Sequence, residues 1–162
     1  MNTWIFQSTP TQFDGLDDYL VNHNPVLWRV TRSGKDMRVG DEVFIYHCKG
    51  KGKREAGVVA RGIILCEPTM LGDHQDAHGH WTEGNENKAE QSLRVLVRLL
   101  DVCRGESRLT AKQLKRDPLL KNLPNLKRPQ GTNYLVKPEM AEPLLQRWFD
   151  RVEKLVPKRI GV

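Results

Sequence analysis

The sequence contains few cysteines and no long apolar segment. Its three cysteines, Cys48, Cys66 and Cys103, are odd in number and have no C-x-x-C spacing, which argues against a disulfide framework or a zinc knuckle and is typical of a reducing compartment. No apolar stretch approaches the ~20 residues that span a bilayer, and the first residues lack the basic and apolar regions of a secretory signal. We therefore expect a soluble protein in the cytoplasm.

The sequence also lacks the common catalytic fingerprints, with no Gly-x-Ser-x-Gly elbow, phosphate-binding P-loop or dinucleotide-binding glycine motif. The best catalytic candidate is "DHQDAHGH" at 73–80, where His74, His78 and His80 lie beside two aspartates and could ligate zinc or a harder metal. Their spacing matches no helix-borne metal motif. We predict a binding module without catalytic residues, metal or cofactor, and keep a metal-dependent enzyme as an alternative.

The net charge of +6 is unevenly distributed along the chain. Residues 1–90 contain 10 Lys and Arg against 13 Asp and Glu, a net charge of −3, whereas residues 91–162 contain 16 against 7, a net charge of +9. A basic half of this kind is compatible with a polyanionic partner such as nucleic acid. It is equally compatible with solvated helix faces, so charge alone leaves both interpretations open.

The apolar pattern predicts both strands and helices. Strands are predicted at 3–9, 26–32, 42–49, 56–68 and 93–103, with a short last strand that ends near 136. Helices are predicted after Pro10, at 109–126 with two proline breaks, and at about 138–156 as an amphipathic helix. Residues 69–92 lack apolar periodicity and are predicted to form a long loop. The order indicates one α+β domain over 1–162, a small mixed sheet or barrel flanked by helices.

Two tryptophans are candidates for a binding site. Trp148 and Phe149 lie on the apolar stripe of the last predicted helix, where core packing is expected. Trp81 lies in the predicted long loop with no apolar neighbour in sequence, so its indole must dock on the domain, stay exposed or line a pocket. Trp28 lies in a predicted strand, immediately before "RVTRSGK", and taken alone it is best explained by core packing.

Five segments, in order along nearly the whole chain, resemble the EVE domain, a member of the PUA-like superfamily that is related to the YTH readers of methylated adenine. They are "WIFQSTPTQF", "VLWRVTRSGKDMRVGDEVFIYH", "AGVVARGIILCEP", "SLRVLVRLLDV" and "PQGTNYLVKPEMAEPLLQRW". The pattern W-x-V-x-R…M-x-V-G-D-x-V-F is similar to EVE modules fused to HNH nucleases in modification-dependent restriction systems. The resemblance implies a PUA-like fold and a reader that takes a flipped 5-methylcytosine or 5-hydroxymethylcytosine of DNA into an aromatic pocket.

By position, the resemblance assigns Trp28 to the first aromatic wall of this pocket and Trp81 to the second. Polar groups near the ends of neighbouring strands would meet the edge of the base, and the candidates are Ser8, Thr31, Ser33, Tyr46 and His47. Tyr46 and His47 are adjacent in one strand, so only one of them is expected to point inward.

Basic residues around this pocket are the candidate contacts to the nucleic-acid backbone. They are Arg29, Arg32, Lys35 and Arg38 near the rim, Lys49, Lys51, Lys53 and Arg54 in a predicted hairpin tip, and Lys127 and Arg128 before "PQGTN". The hairpin tip is equally well explained as a solvated turn.

Three alternatives to the DNA reader remain open. They are an RNA-modification reader of the PUA or YTH type, the metal-dependent enzyme, and an interaction module whose pocket takes a small ligand. DNA is favoured over RNA by the resemblance alone, because stacking and phosphate contacts serve both nucleic acids. The resemblance also makes a fused or partner HNH nuclease an expected partner, while no membrane contact is expected and the oligomeric state is not predicted.

Overall fold

The computed structural model describes residues 1–52, 54–103 and 108–155, and residues 154 and 155 are described as backbone only. In these ranges the strands are β1 (Thr3–Ser8), β2 (Val26–Arg29), β3 (Glu42–His47), β4 (Gly57–Ile64), β5 (Thr69–Leu71), β6 (Ser92–Val102), β7 (Leu109–Thr110) and β8 (Asn133–Val136). The α-helices are α1 (Leu16–Asn22), α2 (Ala111–Arg116), α3 (Pro124–Lys127) and α4 (Pro138–Leu155), and short 3-10 turns lie at Gly34–Asp36, Gln75–His80 and Glu86–Ala89.

The strands form one mixed sheet in the order β2-β6-β4-β3-β1-β8, with β5 added along β6 and β7 along β4. β1 and β3 are parallel, and every other pair is antiparallel. The sheet curls far enough that its two ends meet at Asn133 in β8. The Asn133 amide donates to the carbonyl of Arg29 at 3.1 Å and accepts from the backbone N–H of Thr31 at 2.9 Å, so one buried side chain joins the first and last strands of the order.

Side chains alternate between the two faces of this sheet and create two hydrophobic cores. On one face, Trp4 and Phe6 of β1 pack with α1 and with parts of the 69–92 segment. On the other face, Ile5 of β1 packs with α2, α4 and the chain before α3. The candidate site described below lies at the end of the first of these cores, which we call the α1-side core.

The predicted α+β class and mixed sheet are confirmed, and the predicted strands start within about one residue of their expected positions. Two of them are shorter than predicted, because β2 ends at Arg29 instead of residue 32 and β4 ends at Ile64 instead of residue 68. Residues 69–92 differ from the predicted long loop, because they contain β5 and two 3-10 turns. These short elements escape apolar periodicity since each is at most six residues long. α4 occupies the predicted region up to Leu155, and residue 156 lies outside the described part of the chain.

The adjacent aromatic residues of the last helix, Trp148 and Phe149, differ in burial, although the sequence pattern predicts core packing for both. Trp148 is fully buried, and its indole N–H donates to Asp101 Oδ2 at 3.1 Å. Phe149 is 38% exposed and lies under the guanidinium of Arg61, whose Cζ is 4.9 Å from the ring centroid. The prediction of core packing is therefore confirmed for Trp148 and wrong for Phe149, which is one residue further around the helix. No helix in the described residues has the length and apolar character required to cross a membrane.

Candidate functional site

A cavity of about 440 Å³ opens at the end of the α1-side core, a volume within the usual range of small-ligand sites. Its walls come from the end of β1, the N-terminal part of α1, strand β2, the residues Asp73 and Trp81, and the segment 129–132 before β8. The topology explains why these parts meet. β1 and β3 are parallel and so end on the same side of the sheet, and the antiparallel β8 must begin there.

Trp28 and Trp81 both line this cavity. Trp28 is 7% exposed and is stacked with Phe6, with ring centroids 6.1 Å apart and an interplanar angle of 21°. Trp81 is half-buried and packs edge-on against Phe13, at 4.9 Å and 76°. The structure thus places both predicted tryptophans at one site, with Trp28 also serving as a core residue.

The carboxylate of Asp73 holds the Trp81 wall in place. It accepts hydrogen bonds from Trp81 Nε1 at 2.9 Å, from the Tyr19 hydroxyl at 3.1 Å and from the backbone N–H of His74 at 2.9 Å. Burial, and after it the charge of Asp73, raises the pKa of the Tyr19 hydroxyl, so the phenol remains a neutral donor. Asp73 also lines the cavity, where its carboxylate is a buried anionic acceptor.

Arg94 lies behind Asp73 and ties together the two ends of the 69–92 segment. Its side chain is fully buried, 4.0 Å from Asp73 Oδ2, and it donates to the carbonyls of Leu71 and Glu90, both at 2.7 Å, and of Lys88. Burial lowers the pKa of Arg94, and Asp73 opposes that change. A buried cation requires such partners, so the segment that carries Asp73 and Trp81 is fastened to β6.

Arg29 gives the cavity a cationic wall. Its guanidinium Cζ is 5.8 Å from the ring centroid of Trp81, within the range of cation–π contacts. The side chain is half-buried, and burial lowers its pKa. Its Nε is buried without a hydrogen-bond partner among the described residues, so this group can still donate to an incoming anion or carbonyl.

Of the predicted polar pocket residues, Ser8 lines the cavity, and its carbonyl accepts from the Cys48 N–H at 2.9 Å. Cys48 lines it too, and burial raises the pKa of its thiol to about 11, so the sulfur stays protonated. Thr31 and Ser33 do not line it. β2 ends at Arg29, and the chain then turns away through a left-handed Ser33 with φ of 58°.

The sequence predicts that either Tyr46 or His47 points into the pocket, and the structure places neither there. Tyr46 is buried on the opposite sheet face, in the core that contains α4. His47 points to the α1 side but lines a second, more open cavity, with Nδ1 at 4.0 Å from Asp17 Oδ1. The neighbours of His47 in the sheet and in sequence, Ser8 and Cys48, line the first cavity, so the parity of His47 selects the correct sheet face but not the correct cavity.

The predicted backbone contacts divide into two groups. The first group is close to the cavity lined by Trp28 and Trp81. Arg29 lines this cavity, Arg32 lies beside Gly131, and Lys127 and Arg128 directly precede the 129–132 wall. Lys51 and Arg54 line the second cavity, where Arg54 pairs with Asp17, and Lys49 is exposed nearby. Lys35 and Arg38 are exposed near the Gly34–Asp36 turn, where Arg38 binds the carbonyls of Lys35 and Met37. Lys53 lies outside the described residues.

The histidines of 73–80 are not arranged as a metal site. His74 contacts the carbonyl of Pro25 at 3.2 Å through Nε2, and His80 contacts that of Asp14 at 2.6 Å through Nδ1. Among the described residues, no group of three His, Cys, Asp or Glu side chains is placed to hold a metal ion. These contacts fasten the segment to the residues just before α1 and just before β2.

The sequence pattern does not single out Tyr19 or Arg94, and it places Asp73 in a candidate metal group. A signal exists for Arg94, because a charged residue inside the apolar strand "SLRVLVRLL" indicates a buried ion with dedicated partners. Nothing in the sequence connects Tyr19 with Asp73, which lie 54 positions apart.

The family model of the EVE domain matches residues 2–147 of the chain. No curated protein matches the chain in sequence.

Several solved structures have the same fold. A hypothetical protein from Leishmania major has a TM-score of 0.64 at 19% identity, covering 96% of this chain and 98% of that one. A protein from Pseudomonas putida has a TM-score of 0.59 at 20% identity, covering 89% and 97%. Human THYN1, in complex with DNA that contains 5-methylcytosine, has a TM-score of 0.59 at 18% identity, covering 91% and 97%. The curled mixed sheet with its flanking helices is the PUA-like arrangement that the resemblance implies.

We expect Asp73→Ala to lower both the stability of the fold and the order of the Trp81 wall. The substitution leaves the indole N–H of Trp81 without its acceptor and the hydroxyl of Tyr19 with the longer bond to the Leu27 carbonyl at 3.3 Å, and an unsatisfied buried donor costs about 1–3 kcal/mol. Urea denaturation measures the loss. Asp76→Ala is the matched control, because the Asp76 side chain is 73% exposed and its bond to His23 lies at the surface, so it should change stability little. Equal losses in the two variants would contradict the central role of Asp73.

We expect His47 to make stability depend on pH. Burial lowers the pKa of His47 below its ordinary 6.5, and Asp17 opposes this without reversing it. The unfolded chain therefore takes up the proton more readily, so stability is retained above 6.5 and lost as pH falls through the lowered pKa. Relative to wild type, His47→Leu should gain unfolding free energy from about pH 7 to about pH 5, as measured by urea denaturation. A pH-independent difference between the two proteins would disprove this coupling.

Proposed function

Since this chain belongs to the EVE domain family, we propose that it is a nucleic-acid-binding reader module and not an enzyme. It takes one flipped, modified base into the cavity lined by Trp28 and Trp81, and we propose 5-methylcytosine or 5-hydroxymethylcytosine in DNA as that base. The cavity is the observation that carries the proposal, because it combines two indoles, a buried carboxylate and a half-buried guanidinium in one space of about 440 Å³.

The energetics of base extrusion favour such a cavity. Moving a base out of the stack costs a few kcal/mol, and stacking on an aromatic side chain returns about 1–3 kcal/mol per base. Trp28 and Trp81 are held before binding by contacts with Phe6 and Phe13, so little side-chain entropy remains to be lost when a base enters.

The carboxylate of Asp73 supports cytosine over thymine. A carboxylate has about four acceptor positions, and hydrogen bonds from Trp81, Tyr19 and His74 use three of them. The exocyclic amino group of cytosine is a donor, whereas thymine has a carbonyl acceptor at the same place. A free carboxylate position would therefore bind the former and repel the latter, while Leu16 and Leu27 give the cavity apolar surface for a 5-methyl group.

DNA as the nucleic acid is supported by the structural likeness to human THYN1, which is known in complex with DNA containing 5-methylcytosine. The choice of DNA over RNA, a fused or partner HNH nuclease and a cytoplasmic location are parts of the proposal that follow from the resemblance. A reader module needs no catalytic group of its own, because its output is the position at which it binds.

A binding panel tests this function directly. The probes are matched DNA duplexes and RNA oligonucleotides that carry cytosine, 5-methylcytosine, 5-hydroxymethylcytosine or N6-methyladenine at one position. The proposal predicts the lowest Kd for DNA with a modified cytosine. Equal Kd values for the modified and plain DNA duplexes would refute it, and a lower Kd for modified RNA would replace DNA with RNA as the partner.

In the same panel, we expect Trp81→Ala to raise the Kd for modified DNA by roughly five- to 150-fold, the equivalent of losing about 1–3 kcal/mol of stacking. The ring is half-buried, so the variant should fold. Phe149→Ala is the control, because this partly exposed aromatic lies on α4, which packs on the opposite sheet face, and it should leave Kd unchanged. Trp28→Ala is less informative, because removing a buried Trp costs about 3–5 kcal/mol of stability.

We expect Arg32→Ala and Arg128→Ala each to weaken binding of modified and plain DNA alike and to reduce the slope of log K against log salt by about 1. Both side chains are exposed close to the cavity wall at 129–132. Lys115→Ala on α2 is the control, since α2 packs on the opposite sheet face. Binding titrations between about 50 and 200 mM salt measure the slopes. An unchanged slope in both arginine variants would rule out phosphate contacts at this rim.

A further inference from the structure

The segment 128–132, which we call the mouth loop, lies beside the opening of the cavity and is unusually well fastened for an exposed loop. The side-chain amide of Gln7 donates to the carbonyls of Pro129, at 2.5 Å, and Gly131, at 3.2 Å. The backbone N–H of Gln7 donates to the carbonyl of Thr132 at 2.8 Å. Since Gln7 is buried in β1, the sheet itself holds the loop from below.

Tyr134 fastens the mouth loop from the other side. Its hydroxyl donates to the carbonyl of Arg128 and accepts from the N–H of Gly131, at 2.6 Å for the second bond. A Cβ at position 131 would lie 2.8 Å from that hydroxyl, so the close approach requires glycine. Pro129 further restricts the backbone through its ring. The loop is therefore held in one conformation before any ligand binds.

The residue that this rigid loop presents is Gln130. Its side chain is exposed, lines the cavity and forms no hydrogen bond with any other described residue. Gln12, an exposed glutamine that also lines the cavity, differs in this respect because its amide oxygen accepts from Lys88 Nζ at 2.9 Å. The amide of Gln130 thus has unused donors and an unused acceptor beside the place where a base would enter.

From this placement we infer that Gln130 enters the duplex as the base leaves it and pairs with the orphaned guanine. This inference rests on the proposed function, since it requires a base in the cavity. The amide N–H of Gln130 donates to guanine O6, and the amide oxygen accepts from guanine N1–H, so one side chain satisfies two groups of the guanine edge that cytosine leaves unpaired. The rigid backbone on both sides of Gln130 keeps the entropic cost of this contact low.

Through the same pairing, the module also recognises the base opposite the flipped one. Inside the cavity, Asp73 tests the flipped base, whereas Gln130 tests the base on the opposite strand. An orphaned adenine presents a donor where guanine has O6 and an acceptor where guanine has N1–H, although rotation of the amide can partly accommodate it. Removing Gln130 should therefore weaken duplex binding far more than single-strand binding.

The test measures the Kd of wild type and Gln130→Ala for two DNA probes that carry 5-methylcytosine. One is a fully paired duplex, and the other is the methylated single strand. The inference predicts that Gln130→Ala raises the Kd for the duplex by about ten- to a hundredfold, as for loss of one bidentate base contact, and raises the Kd for the single strand far less. Equal effects on both probes, or no effect on either, would overturn it.

Two comparisons keep this result distinct from the test of the proposed function. Preference of the wild type for methylated over plain duplex tests the reader function alone, and Gln130→Ala should retain part of that preference through Trp81 and Asp73. Gln12→Ala is the matched control at the same opening, and it should affect the duplex and the single strand alike. A loss in Gln12→Ala that is selective for the duplex would also contradict the inference, because the effect would not belong to the mouth loop.

Discussion

Two buried charges, the carboxylate of Asp73 and the guanidinium of Arg94, lie 4.0 Å apart behind one wall of the cavity. Neither charge would be stable there without further partners, because a buried ion loses its hydration. The partners of Arg94 are backbone carbonyls at Leu71, Lys88 and Glu90, and those of Asp73 include Trp81 and Tyr19. A segment with little apolar content is thereby ordered by satisfying two charges, and the aromatic wall of the site is a consequence of that ordering.

This arrangement also explains why the site is rigid on all sides. Trp28 is held by packing in the α1-side core, Trp81 by a hydrogen bond, and the mouth loop by Gln7 and Tyr134. The walls come from different parts of the chain, and aromatic packing and hydrogen bonds hold them. A cavity prepared in this way can offset the cost of unstacking a base, because binding does not also have to order the protein.

Much of the fold follows from local sequence patterns. β1, β3, β4 and β6 are apolar runs of the expected length, and α4 has a stripe of apolar residues at helical spacing. The pairing of these strands does not follow from such patterns, because a parallel β1–β3 pair and a curl closed by Asn133 depend on contacts between distant residues. The structure of the 69–92 segment could not be predicted from local patterns either, since its order derives from Arg94 and not from its own periodicity.

Local sequence identifies the residue types that are available for a site: tryptophans outside the apolar stripe of the last helix, arginines within an apolar strand, and basic residues along the chain. It also determined, through the two-residue period of a strand, that Tyr46 and His47 point to opposite faces. The tertiary structure alone shows which residues near the strand ends line the cavity, and it places His47, Thr31 and Ser33 outside that lining. The physical reason is that periodicity specifies a face of an element, whereas a cavity is formed by the ends of several elements whose relative positions are set by long-range packing and buried hydrogen bonds.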